Sequence, residues 1–175
     1  MIEEDDYEKG CEIFTLGFSR CLEQMLERFY ARLDATLTFI ILCSGLGSFF
    51  VLITKLFSSG KAEIILLVMA LLTSSFSILQ LIIKPSEKSK HAGLQANKYI
   101  RLEAKADKLT KQKLKRKRAK IEKTDSSRIE YLVYPAHLSE EIRLGLPISV
   151  ELKTIEKIFA WFAGNLPDTN RIKSQ

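Results

Sequence analysis

The sequence predicts a mainly α-helical integral membrane protein: a two-helix transmembrane hairpin with an N-terminal amphipathic helix, a long basic cytoplasmic helix and a small C-terminal α or α+β tail. Three observations predict it. Residues 35–54 and 64–83 are two runs of twenty without Asp, Glu, Lys, Arg or His. At about 1.5 Å of rise per residue, each spans roughly 30 Å as a helix, the hydrocarbon thickness of a bilayer. Between them only Lys55, Lys61 and Glu63 are charged, around a short turn with Ser58, Ser59 and Gly60 that forces the runs antiparallel. The net charge of +6 is also unevenly spread. Residues 1–32 carry eight acids and four bases, residues 84–123 carry fifteen bases and four acids, and residues 124–175 are nearly balanced with six bases and seven acids.

These features divide the chain into an N-terminal cytoplasmic or interfacial helix (1–34), the hairpin (35–84), a juxtamembrane basic helix (85–123) and a C-terminal cytoplasmic module (124–175). In 1–34, Leu22, Met25, Leu26, Phe29 and Leu33 fall at helical spacing. Such a helix either packs on the rest of the cytoplasmic part or rests on lipid; packing is the commoner use. A cleaved signal peptide does not fit, because the first apolar run begins at Ala35 behind an acidic segment rather than a short basic lead. Basic residues flank the outer ends of the hairpin (Arg20, Arg28, Arg32, then Lys84, Lys88, Lys90), whereas the loop has two. Positive flanks resist translocation, so both termini are expected in the cytoplasm, with Gly60 outside.

Inside the spans the polar residues are small. Ser44, Gly47 and Ser48 lie in the first run, and Thr73, Ser77 and Gln80 in the second. Small residues let membrane helices approach, and their hydroxyls bond across the contact. The sharper reading is that these six line a water path once several copies assemble, since two helices cannot enclose a pore. Gln80 is the most informative, because an amide in lipid requires a polar partner.

Pro85 and Ser86 mark a break, and a long helix is expected from Glu87 to Lys123. Tyr99, Leu102, Ala106 and Leu109 repeat at three and four residues, the pattern of an oligomerising coiled-coil seam. Beyond it Lys111, Lys113, Lys115, Arg116, Lys117, Arg118 and Lys120 are too densely charged to bury. They fit anionic lipid headgroups, nucleic-acid phosphates, or simply the fixing of topology.

In the tail, Ile129, Tyr131 and Val133 alternate, as do Ile142, Leu144, Leu146, Ile148 and Val150, which suggests two strands; Ser139 followed by Glu140 and Glu141 reads equally as a helix start. A final helix is expected from Leu152 to Ala163, ended by Gly164 and Pro167. Trp161 beside Lys153 and Lys157 suits a membrane interface, but such a pattern is more often the core of a small domain.

Three cysteines (Cys11, Cys21, Cys43) imply no disulfide framework and are expected as free thiols. His91 and His137 are remote from any cysteine pair, so no metal site is expected, and neither a phosphate-binding glycine loop nor a nucleophile motif is present. An enzyme and a cofactor are therefore not expected.

The layout from Tyr7 to Leu109 resembles the SLATT family of two-transmembrane effector domains of bacterial anti-phage systems. It shares a helix leading into the first span, a short hairpin and a juxtamembrane helix, His91-Ala92-Gly93-Leu94-Gln95-Ala96-Asn97-Lys98-Tyr99-Ile100-Arg101-Leu102. It is also similar to two-span effectors of retrons. The resemblance implies an effector held inert by a cytoplasmic regulatory protein, or by a nucleoprotein complex such as a retron, which on release forms a homo-oligomer and permeabilises the membrane in an abortive infection. The alternative is a non-pore membrane adaptor that tethers a nucleic-acid or protein complex through its basic helix. A phage holin is a third class, disfavoured because the cytoplasmic part exceeds what lysis needs.

Overall fold

The computed structural model describes residues 2–55 and 62–167, with side chains described for 7–47 and 64–167. The loop around Gly60 and the side chain of Ser48 lie outside the described residues. The described residues fold into six α-helices in sequence: α1 (Ile2–Lys55), α2 (Ala62–Ile83), α3 (Pro85–Glu103), α4 (Lys111–Glu122), α5 (Glu130–Leu144) and α6 (Thr154–Phe162). No strand occurs among the described residues. The alternating apolar residues after Ile129 therefore do not form the β part expected as one option. Ile142 and Leu144 belong to α5, and Leu146, Ile148 and Val150 lie in an irregular segment behind Gly145, whose left-handed φ of 67° reverses the chain.

Among the described residues, two helices are long and apolar enough to cross a membrane. The first is α1, a single 54-residue helix in which the amphipathic N-terminal stretch runs into the apolar run without a break. The second is α2. It ends where expected: Lys84 takes a left-handed conformation (φ 49°), and Pro85 opens α3, where its missing N–H costs nothing.

The single helix expected from Glu87 to Lys123 is instead two. After Glu103 the chain leaves the α-helix, makes a 3₁₀ turn at Ala106–Lys108 and restarts at Lys111. The break returns α4 along the N-terminal part of α1, so that Arg118 meets Glu12 at 3.0 Å and Lys111 meets Glu8.

The chain forms two compact units, one of residues 1–30 and 88–175, the other of residues 31–87. The first has a conventional core. Leu16, Tyr99, Leu102, Ala106 and Leu114 pack together, with Ile13, Leu109 and Ile121 against them. Leu22, Met25 and Leu26 are also buried, which is the packing use expected of the N-terminal helix. A four-member ionic network joins α1, α3 and α5. Arg20 pairs with Glu103 (3.0 Å) and Glu140 (3.4 Å), and Arg143 pairs with both glutamates, reaching Glu103 at 3.0 Å. Glu140 is only 1% exposed, and it fits because residue 17 is glycine: a Cβ there would fall 1.9 Å from its Oε1.

Candidate functional site

In the unit of residues 31–87, α2 turns one stripe inward. Leu66, Met69, Thr73, Phe76, Gln80 and Ile83 alternate at three and four residues and are all half-buried, whereas the remaining described positions of α2 are exposed. The matching stripe on α1 is Asp34, Leu37, Ile41 and Ser44, again three and four apart. Complementary stripes of this spacing are how antiparallel helices pack. Near the loop end the helices come close at Gly47, where a Cβ would lie 2.4 Å from Met69 Cε. At the opposite end the contact is polar. The Gln80 amide donates to Asp34 Oδ1 at 2.9 Å and to Thr38 Oγ1 at 3.0 Å.

Beside this cluster opens a cleft of about 420 Å³ lined by Asp34, Ser77, Gln80, Leu81, Lys84, Pro85, Ser86 and Glu87. The polar groups there are two carboxylates (Asp34 and Glu87), the Gln80 amide, the hydroxyls of Ser77 and Ser86, and the Lys84 ammonium, which pairs with Glu87 at 3.6 Å; together they can bind water. They do not form a nucleophile–base pair, and no group of metal-binding side chains occurs among the described residues.

The hydroxyls named from the sequence behave differently from Gln80. Thr73 donates to the Met69 carbonyl at 2.8 Å, Ser77 to the Thr73 carbonyl at 2.7 Å, and Ser44 to the Ile40 carbonyl. Each thus bonds its own helix one turn back, a common way for Ser and Thr to satisfy themselves in an apolar helix. Gln80 instead bonds across the helices; its partners Asp34 and Thr38 were not singled out from sequence. Asp34 is the last charge before the first run and stands in register with Leu37 and Ile41, which was the available signal.

The other two sets of predicted residues fall in the unit of residues 1–30 and 88–175. Tyr99, Leu102 and Ala106 are buried and Leu109 packs beside them, against Leu16 and Leu114 of the same chain. In this fold the apolar face of the expected oligomer seam is filled intramolecularly. At its upper end the Tyr99 hydroxyl donates to Asp125 at 2.7 Å, the Ser126 N–H donates to Glu23 at 2.9 Å, and the Gln95 amide donates to the Thr124 carbonyl. Burial raises the carboxyl pKa of both Glu23 and Asp125, and burial beside Asp125 pushes the Tyr99 phenol far above its ordinary value.

Of the basic run, Lys111 and Arg118 pair with Glu8 and Glu12, so part of its anionic partner is the chain's own acidic N-terminal segment. Lys113, Lys115, Arg116, Lys117 and Lys120 are exposed. The core placement preferred for Trp161 is also corrected. Phe159 and Phe162 pack on Phe29, with ring centroids 5.6 and 5.2 Å away, but Trp161 is 66% exposed. The chain matches no family model, no curated protein and no solved structure.

Proposed function

We propose that the chain is a two-span membrane effector whose hairpins assemble and permeabilise the bilayer, with the Asp34–Thr38–Gln80 cluster as the polar element exchanged on assembly. The observation that carries this reading is the placement of Gln80. On a hairpin otherwise clad in exposed Leu, Ile and Val, its amide is held between a carboxylate and a hydroxyl at the edge of an open cleft, where water, an ion or the same groups of another copy can replace either partner. The resemblance of residues 7–109 to SLATT effectors supports the same role. In this reading the protein sits in a bacterial inner membrane with both termini cytoplasmic, and acts in an anti-phage abortive-infection system under the control of a cytoplasmic regulator.

Induced expression is expected to depolarise cells and admit a small dye. Gln80→Leu and Ser77→Leu are expected to abolish dye entry while the protein still fractionates with membranes; dye entry undiminished in both variants contradicts the proposal. The adaptor reading is favoured by a different observation, the exposed Lys113, Lys115, Arg116, Lys117 and Lys120 on α4. It predicts salt-dependent binding to nucleic acid, lost when these five are neutralised, together with harmless overexpression.

A further inference from the structure

The last helix presents two faces of opposite character. Its inner face holds Ala160 and Ala163, both fully buried, and Glu156, whose carboxylate accepts the Lys153 N–H at 2.8 Å and so fixes the helix start. Phe159 and Phe162 flank this face and clamp α6 onto Phe29 of α1. The outer face carries Ile155, Ile158 and Trp161, which are 43%, 57% and 66% exposed, and Leu166 follows at 52% beyond the reversal at Gly164. At 100° per residue the three outer side chains cover about 120° of the helix circumference, with Lys157 about 40° beyond Trp161; the exposed Lys153 precedes the helix in an extended conformation.

An exposed apolar arc bordered by lysines, with a tryptophan beside them, is the pattern of a helix that lies in a membrane interface. In water it is a patch that soluble surfaces avoid. Two further observations favour lipid over a protein partner. Phe29, the residue that α6 grips, stands only six positions before Ala35 in the sequence, where the charge-free run begins. Anionic headgroups complement Lys157 and the neighbouring Lys153. We infer that α6 is a second membrane contact, lying on an anionic bilayer surface through Ile155, Ile158 and Trp161. The inference rests on the two-span reading of the hairpin.

Trp161 is the single tryptophan of the chain, so its fluorescence reports on α6 alone. The experiment uses the full-length protein reconstituted into vesicles of phosphatidylcholine and phosphatidylglycerol, floated on a density gradient. Emission is recorded with lipids brominated near the glycerol or near the chain end, and with aqueous iodide. The expected result is flotation with blue-shifted emission, quenched more by shallow than by deep bromines, as an interfacial depth of about 5–10 Å requires. Ile158→Glu, at a site that buries little in the fold, is expected to float equally and lose the bromine quenching. Lys153→Glu with Lys157→Glu is expected to weaken it in anionic vesicles.

Flotation with quenching by iodide and none by bromine overturns the inference and leaves the hairpin in place. Shielding from both quenchers that grows with protein density also overturns it, in favour of a second copy. Failure to float removes the two-span reading itself.

Discussion

The two compact units of this chain are built from similar side chains turned in opposite directions. In residues 31–87, Phe39, Leu81 and Ile82 are 67%, 73% and 72% exposed, while Ser44 and Gln80 are buried or half-buried between the helices. In residues 1–30 and 88–167, Leu16, Leu26, Leu114 and Leu132 are wholly buried, and the lysines of α4 stand outside. Each fully exposed Leu or Ile forgoes about 1.5–3 kcal/mol in water and nothing in oil. The difference is what the proposed hairpin requires: apolar side chains inside in the second unit, and outside, where lipid would cover them, in the first.

The comparison can be broken at single residues, beginning with the largest effect. Glu140 sits buried among Arg20, Arg143 and Gly17. Removing one partner of a buried ionic network strands the others, so Glu140→Ala is expected to destabilise the water-facing unit by about 3–5 kcal/mol, read as a lowered midpoint of the Trp161 fluorescence melt. Next comes a paired substitution. Leu71 in α2 and Leu94 in α3 are 59% and 64% exposed. If both faced water, replacing either with Arg would change stability by less than about 0.5 kcal/mol. If α2 faces lipid, Leu71→Arg carries a cost of about 2.5–3.5 kcal/mol and reduces the membrane-inserted fraction, measured by glycosylation mapping or carbonate extraction, while Leu94→Arg has no effect.

A third test is a pH dependence. Burial raises the pKa of Glu23, so the folded chain holds its proton more tightly than the unfolded chain does. The ionised form is therefore penalised above the raised value, and that penalty is relieved as pH falls through it toward the ordinary carboxylate range. Glu23→Gln is expected to be at least as stable as the parent at neutral pH, with the difference between them narrowing on acidification. A parent that gains on the variant as pH rises contradicts the assignment. The smallest effect is expected at Gly47. A Cβ there meets only the terminal methyl of Met69, a flexible side chain that can yield, so Gly47→Ala should cost less than about 1 kcal/mol in hairpin association measured by denaturation in detergent.

The two helices apolar enough to cross a membrane were legible in the sequence because oil imposes a compositional rule that needs no knowledge of tertiary structure: twenty residues without charge, twice. The break at Lys84–Pro85 was legible because proline punctuates helices. The turn between α3 and α4 was not, since residues 104–110 contain neither proline nor glycine, and tertiary packing of Ala106 and Leu114 decides it. The periodicity of Tyr99, Leu102 and Ala106 correctly marked a buried face. Periodicity cannot say whether the covering residues belong to the same chain, and here Leu16 and Leu114 cover it. Likewise the acidic start and the basic run were both visible as charge excesses, but their pairing through Glu12 and Arg118 depended on a reversal of the chain that no local signal announced. Of the polar hairpin site, Gln80 stood out because an amide is conspicuous in an apolar run, and Asp34 was hidden by its position just outside that run.

The native cysteines offer the most direct test of the lipid-facing hairpin. Cys11 and Cys43 are both exposed on the protein, in the water-facing unit and the first span respectively, and Cys21 is buried. In membranes opened by freeze–thaw, so that a bulky water-soluble maleimide reaches both faces, Cys11 is expected to label rapidly. Cys43 should remain unlabelled until the membrane is dissolved and the chain denatured, because only lipid covers it and a thiol in hydrocarbon does not ionise. Labelling of Cys43 at the rate of Cys11 in intact bilayers would contradict the account.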